Sequence, residues 1–289
     1  MTIGTLGAPT RLSARDRARR ADRGGAGTRS VPGPLLVPAV IAVAFLLLPL
    51  AGLVIRAPWG RIGAALSGAD AVQALVLSLW TATTATGVCV LIGVPLAWVL
   101  ARTTFPGQRL LRALVTLPLV LPPVVGGVAL LLAFGRAGFI GRYLNSWFGL
   151  TIPFTPLAVV MAETFVAMPF LVITVEGALR SADQGFEEAA ATLGASRMTV
   201  FRRVTVPLIA PSLAAGAVLC WARALGEFGA TITFAGSFPG QTETMPIAVY
   251  YALEDDPDAA IALSLVLLVV SVIVLVSLRD RWLRGGAVQ

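Results

Sequence analysis

The segment at residues 154–179 reads FTPLAVVMAETFVAMPFLVITVEGAL and carries only two charged side chains, Glu163 and Glu176. A helix needs about 20 apolar residues to cross a hydrocarbon core of about 30 Å, and this segment reaches that length. Five other segments do so as well: 35–55, 75–101, 114–134, 206–225 and 259–278. None shows the alternation of membrane β-strands. The sequence therefore predicts an all-α, polytopic membrane protein with six transmembrane helices.

The composition of the chain supports a surface that faces lipid. Charged residues make up 13% of the 289 residues, against roughly 25% in a soluble domain. The chain also has no His and no Lys. These absences exclude a His-based metal site, a Ser-His-Asp triad and a Walker loop, whose Lys reaches the phosphates. We therefore expect no enzymatic activity and no bound cofactor or metal, and any ATP-driven work must come from a partner.

All 22 basic residues are arginines, and all except Arg223 lie in short runs outside the apolar segments. Runs in such positions set membrane orientation and do not indicate nucleic-acid binding. If the N-terminus is inside, seventeen arginines lie on the inner side and four on the outer side, so both termini are predicted to be cytoplasmic. Residues 1–33 are polar and Gly-rich and carry seven arginines. They are predicted to form a disordered cytoplasmic tail before a transmembrane domain at 34–284.

The loop at 181–207 follows directly after the quoted segment and has the pattern of two short helices. Ser181 or Asp183 can cap the first helix, and Gly194 can end it in the left-handed conformation. Ser196 can cap a second helix, which carries arginines toward the anionic inner membrane surface.

One apolar face runs along the first of these helices. It consists of four residues spaced i, i+3, i+4 and i+7: Phe186, Ala189, Ala190 and Leu193. The spacing alone allows two interpretations, a helix that lies in the groove of a partner protein or one that lies on the lipid surface.

Glu188-Ala189-Ala190, Gly194 and Val204-Thr205-Val206-Pro207 stand at the spacing of the EAA signature of ABC importer permeases, Glu-Ala-Ala-x3-Gly-x9-Ile-x-Leu-Pro. The departures are the two valines that replace Ile and Leu. On these residues the chain resembles a type I ABC importer permease. The resemblance implies that the first helix is a coupling helix, which docks on a separate ATPase subunit that binds ATP and Mg²⁺. The candidate ATPase-coupling residues are Phe186, Glu187, Glu188, Ala189, Ala190, Leu193, Gly194 and Pro207.

Two intramembrane features are candidates for a translocation path. Arg223 and Glu227 are four residues apart in the fifth span and can pair. They form either a structural ion pair or a positive element that attracts an anion. The Pro-rich run at 117–127 in the third span forms either a packing kink or a segment that lines the path. The path hypothesis takes Pro122, Pro123, Arg223, Glu227 and Thr231.

The run Ala-Arg-Ala-Leu-Gly-Glu-Phe-Gly-Ala at 222–230 resembles the permeases of molybdate and sulfate importers. The stretches 117–125, 135–141 with 147–149, and 239–246 favour molybdate, and the resemblance covers about 71–278. It implies a multi-pass permease of the bacterial inner membrane that works as a homodimer with two ATPase subunits and an external molybdate-binding protein. The alternative is a sulfate, thiosulfate or tungstate importer permease. A more distant alternative is a secondary transporter driven by an ion gradient.

Three further carboxylates have structural interpretations. Glu163 lies deep in the fourth span, so we expect it to form a hydrogen bond between helices. Glu176 lies near the inner end of the same span and is expected to be hydrated. Asp256 is expected to cap the last helix, with Pro257 at its first position. The alternative is that the acidic run at 254–258 contacts a delivery protein.

Overall fold

The computed structural model describes residues 33–285, and its secondary structure is helical, with no strand in that range. The predicted tail at 1–33 therefore lies outside the described residues, apart from Gly33. In chain order the helices are α1 (Gly33–Ile55), α2 (Ile62–Ser67), α3 (Ala69–Arg102), α4 (Gln108–Val120), α5 (Pro123–Phe134), α6 (Gly141–Phe148), α7 (Pro156–Ser181), α8 (Gly185–Thr192), α9 (Arg197–Val200), a π-helical segment (Phe201–Thr205), α10 (Val206–Leu225), α11 (Gly229–Ala235), α12 (Met245–Asp255) and α13 (Pro257–Gly285).

The chain divides into two units between Ile55 and Arg56. Helix α1 belongs to the first unit, and its segment Pro34–Ile55 is long and apolar enough to cross a membrane. Helices α2 to α13 belong to the second unit, which contains the loop at 181–207 and all the candidate path residues.

The predicted spans correspond to long apolar helices, with one exception. The other four predicted segments of the second unit correspond to α3, α7, α10 and α13, although residues 154–155 precede α7. Helices α3 and α7, the run Arg197–Leu225 that ends in α10, and the first part of α13 have the length and composition of membrane spans. The segment at 114–134 is instead divided between α4 and α5, whose axes are bent by 119° relative to each other. The predicted third span is therefore present as a bent pair of helices, with the bend inside the Pro-rich run. The chain has six spans if the bent pair is counted as one.

The bend between α4 and α5 follows from two consecutive prolines. Leu121 and Pro122 each have ψ 133°. Each precedes a proline, whose ring disfavours the helical conformation of the residue before it. Pro122 and Pro123 also have no N–H to donate to the carbonyls of Pro118 and Leu119. Pro123 then begins α5, because a proline is well tolerated in the first turn of a helix.

Helices α3, α7 and α10 form the centre of the second unit and pack through small residues. A methyl group at Gly93 would lie 3.3 Å from side-chain atoms of Leu171, and one at Gly216 would lie 3.1 Å from Cβ of Thr174. Small residues let membrane helices approach closely, which matters because lipid tails are as apolar as the side chains they would replace. This close packing makes α3, α7 and α10 a rigid frame for the loop that α7 and α10 enclose.

The second helix of the loop is continuous with α10. Helix α9, the π-helical segment and α10 form one helical run, Arg197–Leu225. In the π-helical segment the N–H of Val206 bonds to the carbonyl of Phe201. The next residue, Pro207, has no N–H for the carbonyl of Arg203, so one α-helical bond is missing where the helix widens. The loop is therefore joined directly to a core helix.

Candidate functional site

Helix α8 (Gly185–Thr192) is the predicted coupling helix. Asp183 precedes it, and its Oδ1 accepts a hydrogen bond of 2.9 Å from the N–H of Gly185. Asp183 thus stabilises the turn before the helix, but the N-cap position is Gln184, whose side chain forms no capping bond. Ser181 is not the cap either, because its hydroxyl donates to the carbonyl of Ala178 at 3.0 Å and so belongs to the end of α7.

The two predicted features that follow α8 are both confirmed. Gly194 has φ +85°, in the left-handed region. A side chain at this position would meet nothing within 4 Å, so glycine is needed there for its backbone conformation and not for space. Ser196 begins the second helix, and its Oγ accepts a hydrogen bond of 3.3 Å from the N–H of Thr199.

The apolar face of α8 is exposed. Phe186 is 59% exposed and Leu193 is 88% exposed. Ala189 and the signature residue Glu188 are also exposed, and Ala190 is half-buried. The chain therefore presents an apolar helical face at the surface of this unit, which is typical of an interaction site.

The opposite face of α8 is tied to the rest of the unit through Glu187. Its Oε1 accepts a hydrogen bond of 2.9 Å from Nη2 of Arg102, at the end of α3. The same oxygen accepts a hydrogen bond of 3.1 Å from the hydroxyl of Thr205, in the π-helical segment. Pro207, the last residue of the signature, is exposed two residues further along, in the first turn of α10. The two adjacent glutamates thus differ, since Glu187 anchors the helix and Glu188 faces outward.

A second ionic cluster lies beside this anchor. Glu176 is buried and pairs with Arg112 at 2.8 Å and with Arg180 at 2.9 Å. The expectation of a hydrated Glu176 is therefore wrong, because two guanidinium groups replace the water around its carboxylate. Arg112 also donates to the carbonyl of Leu100 in the last turn of α3, at 3.3 Å. The cluster thus fastens α4 and α7 to the end of α3.

The predicted partners Arg223 and Glu227 form an ion pair, with 2.6 Å between Nη1 and Oε2. The side chain of Glu227 is 1% exposed and that of Arg223 is 27% exposed. The second carboxylate oxygen, Oε1, accepts a hydrogen bond of 2.8 Å from the N–H of Ala230. Glu227 therefore joins the end of α10 to the start of α11, across the break between these helices.

The other candidate path residues lie where α5 meets α11. A methyl group at Gly229 would lie 2.8 Å from Cβ of Pro123, and one at Gly127 would lie 2.6 Å from Cβ of Thr233. Pro122 and Pro123 are exposed at the start of this contact. Thr231 is fully buried, and its hydroxyl has no hydrogen-bond partner among residues 33–285. The structure thus places Pro123 and Thr231 on two short helices in direct contact.

Glu163 forms the interhelical hydrogen bond that was predicted for it. Its Oε1 accepts from the hydroxyl of Thr81 on α3 at 2.9 Å, and both residues are buried. The sequence did not identify Thr81 as the partner, nor Arg102 and Thr205 as partners of Glu187. A carboxylate in an apolar or short helical segment was the only available signal, and it does not indicate which distant residue pairs with it.

The acidic run before α13 caps that helix. Oδ1 of Asp256 accepts hydrogen bonds from the N–H groups of Asp258 and Ala259 at 3.1 and 3.2 Å, as predicted. Arg61 pairs with Asp256 at 3.3 Å and with Asp258 at 2.9 Å. This contact links the residues before α2 to the start of α13.

Comparison with known proteins places the chain in a family. Residues 93–285 match the model of the binding-protein-dependent transport system inner membrane component. The chain belongs to this family. The permease is accordingly a multi-pass protein of the inner membrane, and its resemblance to ABC importer permeases is confirmed.

Curated relatives of the permease include three transport proteins. It is 51% identical over 251 residues to the molybdenum transport system permease protein ModB of Mycobacterium tuberculosis, with 87% of this chain and 95% of the relative covered. It is 42% identical over 211 residues to ModB of Escherichia coli K12, with 73% and 92% covered. It is 37% identical over 245 residues to the sulfate transport system permease protein CysT of Salmonella typhimurium, with 83% and 88% covered.

Solved structures of ABC transporters share the fold of the permease. A bacterial transporter involved in the import of the acidic polysaccharide alginate matches with a TM-score of 0.67 at 18% identity, covering 93% of this chain and 96% of that chain. The MetNI methionine ABC transporter in an inward-facing conformation matches with a TM-score of 0.55 at 21% identity, covering 75% and 98%. The predicted fold, that of a type I ABC importer permease, is therefore confirmed.

Proposed function

We propose that this chain is the permease subunit of an ATP-driven molybdate importer, in which two copies form the translocation path. The main support for coupling to an ATPase is the exposed apolar face of α8, a helix whose other face is anchored by Glu187. Support for molybdate comes from the relatives, because two molybdenum permeases are 51% and 42% identical to the chain and a sulfate permease is 37% identical.

In this proposal α8 docks on the ATPase through its exposed residues. Phe186 and Leu193 are large, apolar and exposed, and such residues dominate the affinity of a helix that lies in a groove. Gly194 ends the helix and Pro207 marks the return to the core. The full set of coupling residues is Phe186, Glu187, Glu188, Ala189, Ala190, Leu193, Gly194 and Pro207.

Glu187 gives the docking helix its mechanical connection. A movement imposed on α8 by the ATPase passes through the Arg102–Glu187 pair to α3 and through Thr205 to the helical run that ends in α10. Helices α3 and α10 both pack on α7, so the three helices move as one frame. The movement of the ATPase subunits toward each other therefore reaches the membrane part of each copy of the chain.

We place the translocation path at the breaks between α4 and α5 and between α10 and α11, with Pro122, Pro123, Arg223, Glu227 and Thr231 as its candidate residues. Arg223 is the partly exposed cation of this region. Because its charge is paired with Glu227, it attracts an anion without holding it in a strong fixed site. Weak attraction suits a path that must release its cargo.

The partners follow from the same proposal. ATP and Mg²⁺ would be bound by two ATPase subunits, since this chain is proposed to carry out no bond chemistry. An external molybdate-binding protein would deliver the cargo to the outer side. In the solved structures that share this fold, an alginate transporter occurs in complex with a pentasaccharide-bound periplasmic protein.

Transport by the reconstituted complex tests the proposal. The chain, its ATPase and its binding protein are placed in proteoliposomes, and uptake of labelled molybdate is competed with tungstate, sulfate and thiosulfate. We expect ATP-dependent uptake that excess sulfate or thiosulfate does not reduce. Competition by sulfate or thiosulfate would favour an importer of those anions. Competition by tungstate alone would indicate an importer that accepts both molybdate and tungstate, which are nearly equal in size. Uptake that follows an ion gradient and persists with an ATPase unable to hydrolyse ATP would indicate a secondary transporter and contradict the proposal.

A further inference from the structure

A pocket lies on the inner side of α8, between this helix, the end of α3 and the π-helical segment. Its walls are made by side chains of α3, of the turn before α8 and of the run that leads into α10. The residues on which the inference depends are Arg102, Gln184, Glu187, Arg197, Phe201 and Thr205. The pocket is separate from the apolar face that α8 presents outward.

Arg102 is the unusual member of this pocket. Its side chain is 7% exposed, and only Nη2 is used in the ion pair with Glu187. Nε and Nη1 are buried without a hydrogen-bond partner in the described part of the chain. A buried donor left unpaired destabilises a protein by about 1–3 kcal/mol, and more when it is charged. Nε and Nη1 of Arg102 therefore lack acceptors, in a residue that lines the pocket.

The charges around the pocket favour an anion as that acceptor. Arg102 and Arg197 contribute two positive charges and Glu187 one negative charge. Oε1 of Glu187 is already shared by Arg102 and the hydroxyl of Thr205. Arg197, at the start of α9, is exposed and takes part in none of the ion pairs formed within residues 33–285. The amide of Gln184 adds a neutral donor.

We propose that this pocket binds a tetrahedral oxyanion between Arg102 and Arg197. The planar fork of a guanidinium matches two oxygens of such a group, and the unused nitrogens of Arg102 are the donors that it needs. The bound group would bridge α3 and the start of α9, in addition to the Arg102–Glu187 pair. This site does not depend on which anion the permease carries.

Two sources can supply the same chemistry. One is a free oxyanion, such as inorganic phosphate or the imported anion itself. The other is the phosphate of a membrane lipid, since an apolar groove formed by Pro95, Trp98 and Val99 adjoins the pocket and shares Arg197 with it. Both place a tetrahedral oxyanion at the same two arginines.

Binding by the full chain, purified in detergent without its ATPase or binding protein, tests the proposal. Inorganic phosphate, molybdate and sulfate are titrated by calorimetry at low salt, with chloride as the control anion. We expect saturable binding of one oxyanion per chain. Arg197→Gln should weaken it roughly tenfold, as expected when one charged hydrogen bond is lost. Arg203→Gln removes the same charge from the π-helical segment outside the pocket and should leave the affinity unchanged.

Arg102→Gln should abolish the binding, and circular dichroism reports whether this variant is folded. Since Arg197 is exposed, the Arg197→Gln result stands even if the Arg102 variant fails to fold. Absence of saturable binding to the wild-type chain would overturn the proposal, as would equal weakening by Arg197→Gln and Arg203→Gln. Loss of the binding in Arg223→Gln alone would place it in the translocation path and would also overturn the proposal.

Lipid nanodiscs distinguish the two sources of the oxyanion. If phosphatidylglycerol prevents phosphate binding and phosphatidylcholine does not, the site is occupied by a lipid phosphate in the membrane. If phosphate binds equally in both, the site takes the free anion. Either result supports a tetrahedral oxyanion at Arg102 and Arg197.

Discussion

Two arginine–glutamate pairs of this permease differ in what they connect. Arg223 lies in the last turn of α10 and Glu227 only four residues later, in the turn between α10 and α11, and the arginine is 27% exposed. Arg102 and Glu187 are 85 positions apart in the sequence, lie on different helices and have side chains that are 7% and 18% exposed. The first pair fixes the end of one helix next to a break. The second pair holds a separate surface helix against the core.

This difference separates local stabilisation from transmission between parts of the molecule. A pair between residues four positions apart stabilises that short stretch of chain but does not connect it to a distant helix. The Arg102–Glu187 pair joins the helix that is proposed to meet the ATPase to a helix that crosses the membrane. Substitutions in the two regions should therefore have distinguishable effects on stability, uptake and ATPase binding.

Glu187→Ala is expected to have the largest effect. It leaves the buried guanidinium of Arg102 without its carboxylate, and breaking a buried ion pair costs about 3–5 kcal/mol. Thermal unfolding in detergent measures this loss of stability. ATP-dependent uptake in proteoliposomes should be lost as well, because α8 is no longer tied to α3.

Glu188→Ala is the matched control, since it removes the same charge from the adjacent, exposed position. Its effect on stability should stay within about 0.5 kcal/mol. Equal losses of stability in the two variants would show that the Arg102–Glu187 pair is not an anchor. Combining Glu187→Ala with Arg102→Leu should recover part of the stability but not the uptake, because the buried charge is gone and the link remains broken.

Glu227→Ala is expected to have an intermediate effect of about 2 kcal/mol on the free energy of unfolding, mainly from the lost acceptor of the Ala230 N–H. Arg223 is partly exposed and can turn toward water, which limits the loss. Uptake should fall while the affinity for the ATPase stays unchanged. Glu227→Gln can keep the bond to Ala230, so it should retain more stability than Glu227→Ala. A loss of ATPase affinity in these variants would contradict the separation of the two regions.

Gly194→Ala is expected to cost about 1 kcal/mol, because an L-residue is strained at positive φ even where there is space for a methyl group. Gly127→Ala in the α5–α11 contact provides the comparison, since its methyl group would overlap Thr233 and should cost about 1–3 kcal/mol. Thermal unfolding of both variants measures the difference. A larger loss at Gly194 than at Gly127 would mean that the loop is more tightly packed than its open surroundings indicate.

Phe186→Ala is expected to have the smallest effect on the chain itself. The side chain is exposed, so stability should change by less than about 0.5 kcal/mol. Affinity for the ATPase should fall at least roughly tenfold, as for a central apolar anchor of an interface. Thr192→Ala, on the same helix but outside its apolar face, should leave that affinity unchanged. Normal ATPase binding by the Phe186→Ala variant would contradict the assignment of α8 as the docking helix.

Local signals in the sequence were sufficient to predict much of the fold. Apolar length located the spans, Gly194 and Ser196 marked the ends of short helices, and the four-residue spacing of Arg223 and Glu227 indicated their pair. Each of these features depends on residues within a few positions of one another. Backbone preference and helical periodicity act over that range, so a single sequence contains them.

Contacts between distant segments could not be predicted in the same way. The partners of Glu187 and the burial of Glu176 depend on how α3, α4 and α7 pack, and a polar residue near the end of a span looks the same whether water or an arginine satisfies it. The bend in the third span was not predictable for a different reason. Its apolar length fitted one helix, and Pro122 and Pro123 indicated a kink without giving the 119° angle.

The break at these two prolines has a consequence for how the proposed path can evolve. At about 1.5 Å per residue, α4 and α5 are each too short to cross the hydrocarbon core alone. The carbonyls of Pro118 and Leu119 find no N–H donor in Pro122 and Pro123. The polar groups at the break therefore belong to the backbone, where no substitution of a surrounding side chain can delete them. Drift in the surrounding side chains leaves this polarity in place, and only replacement of the prolines themselves would let a continuous helix close it off.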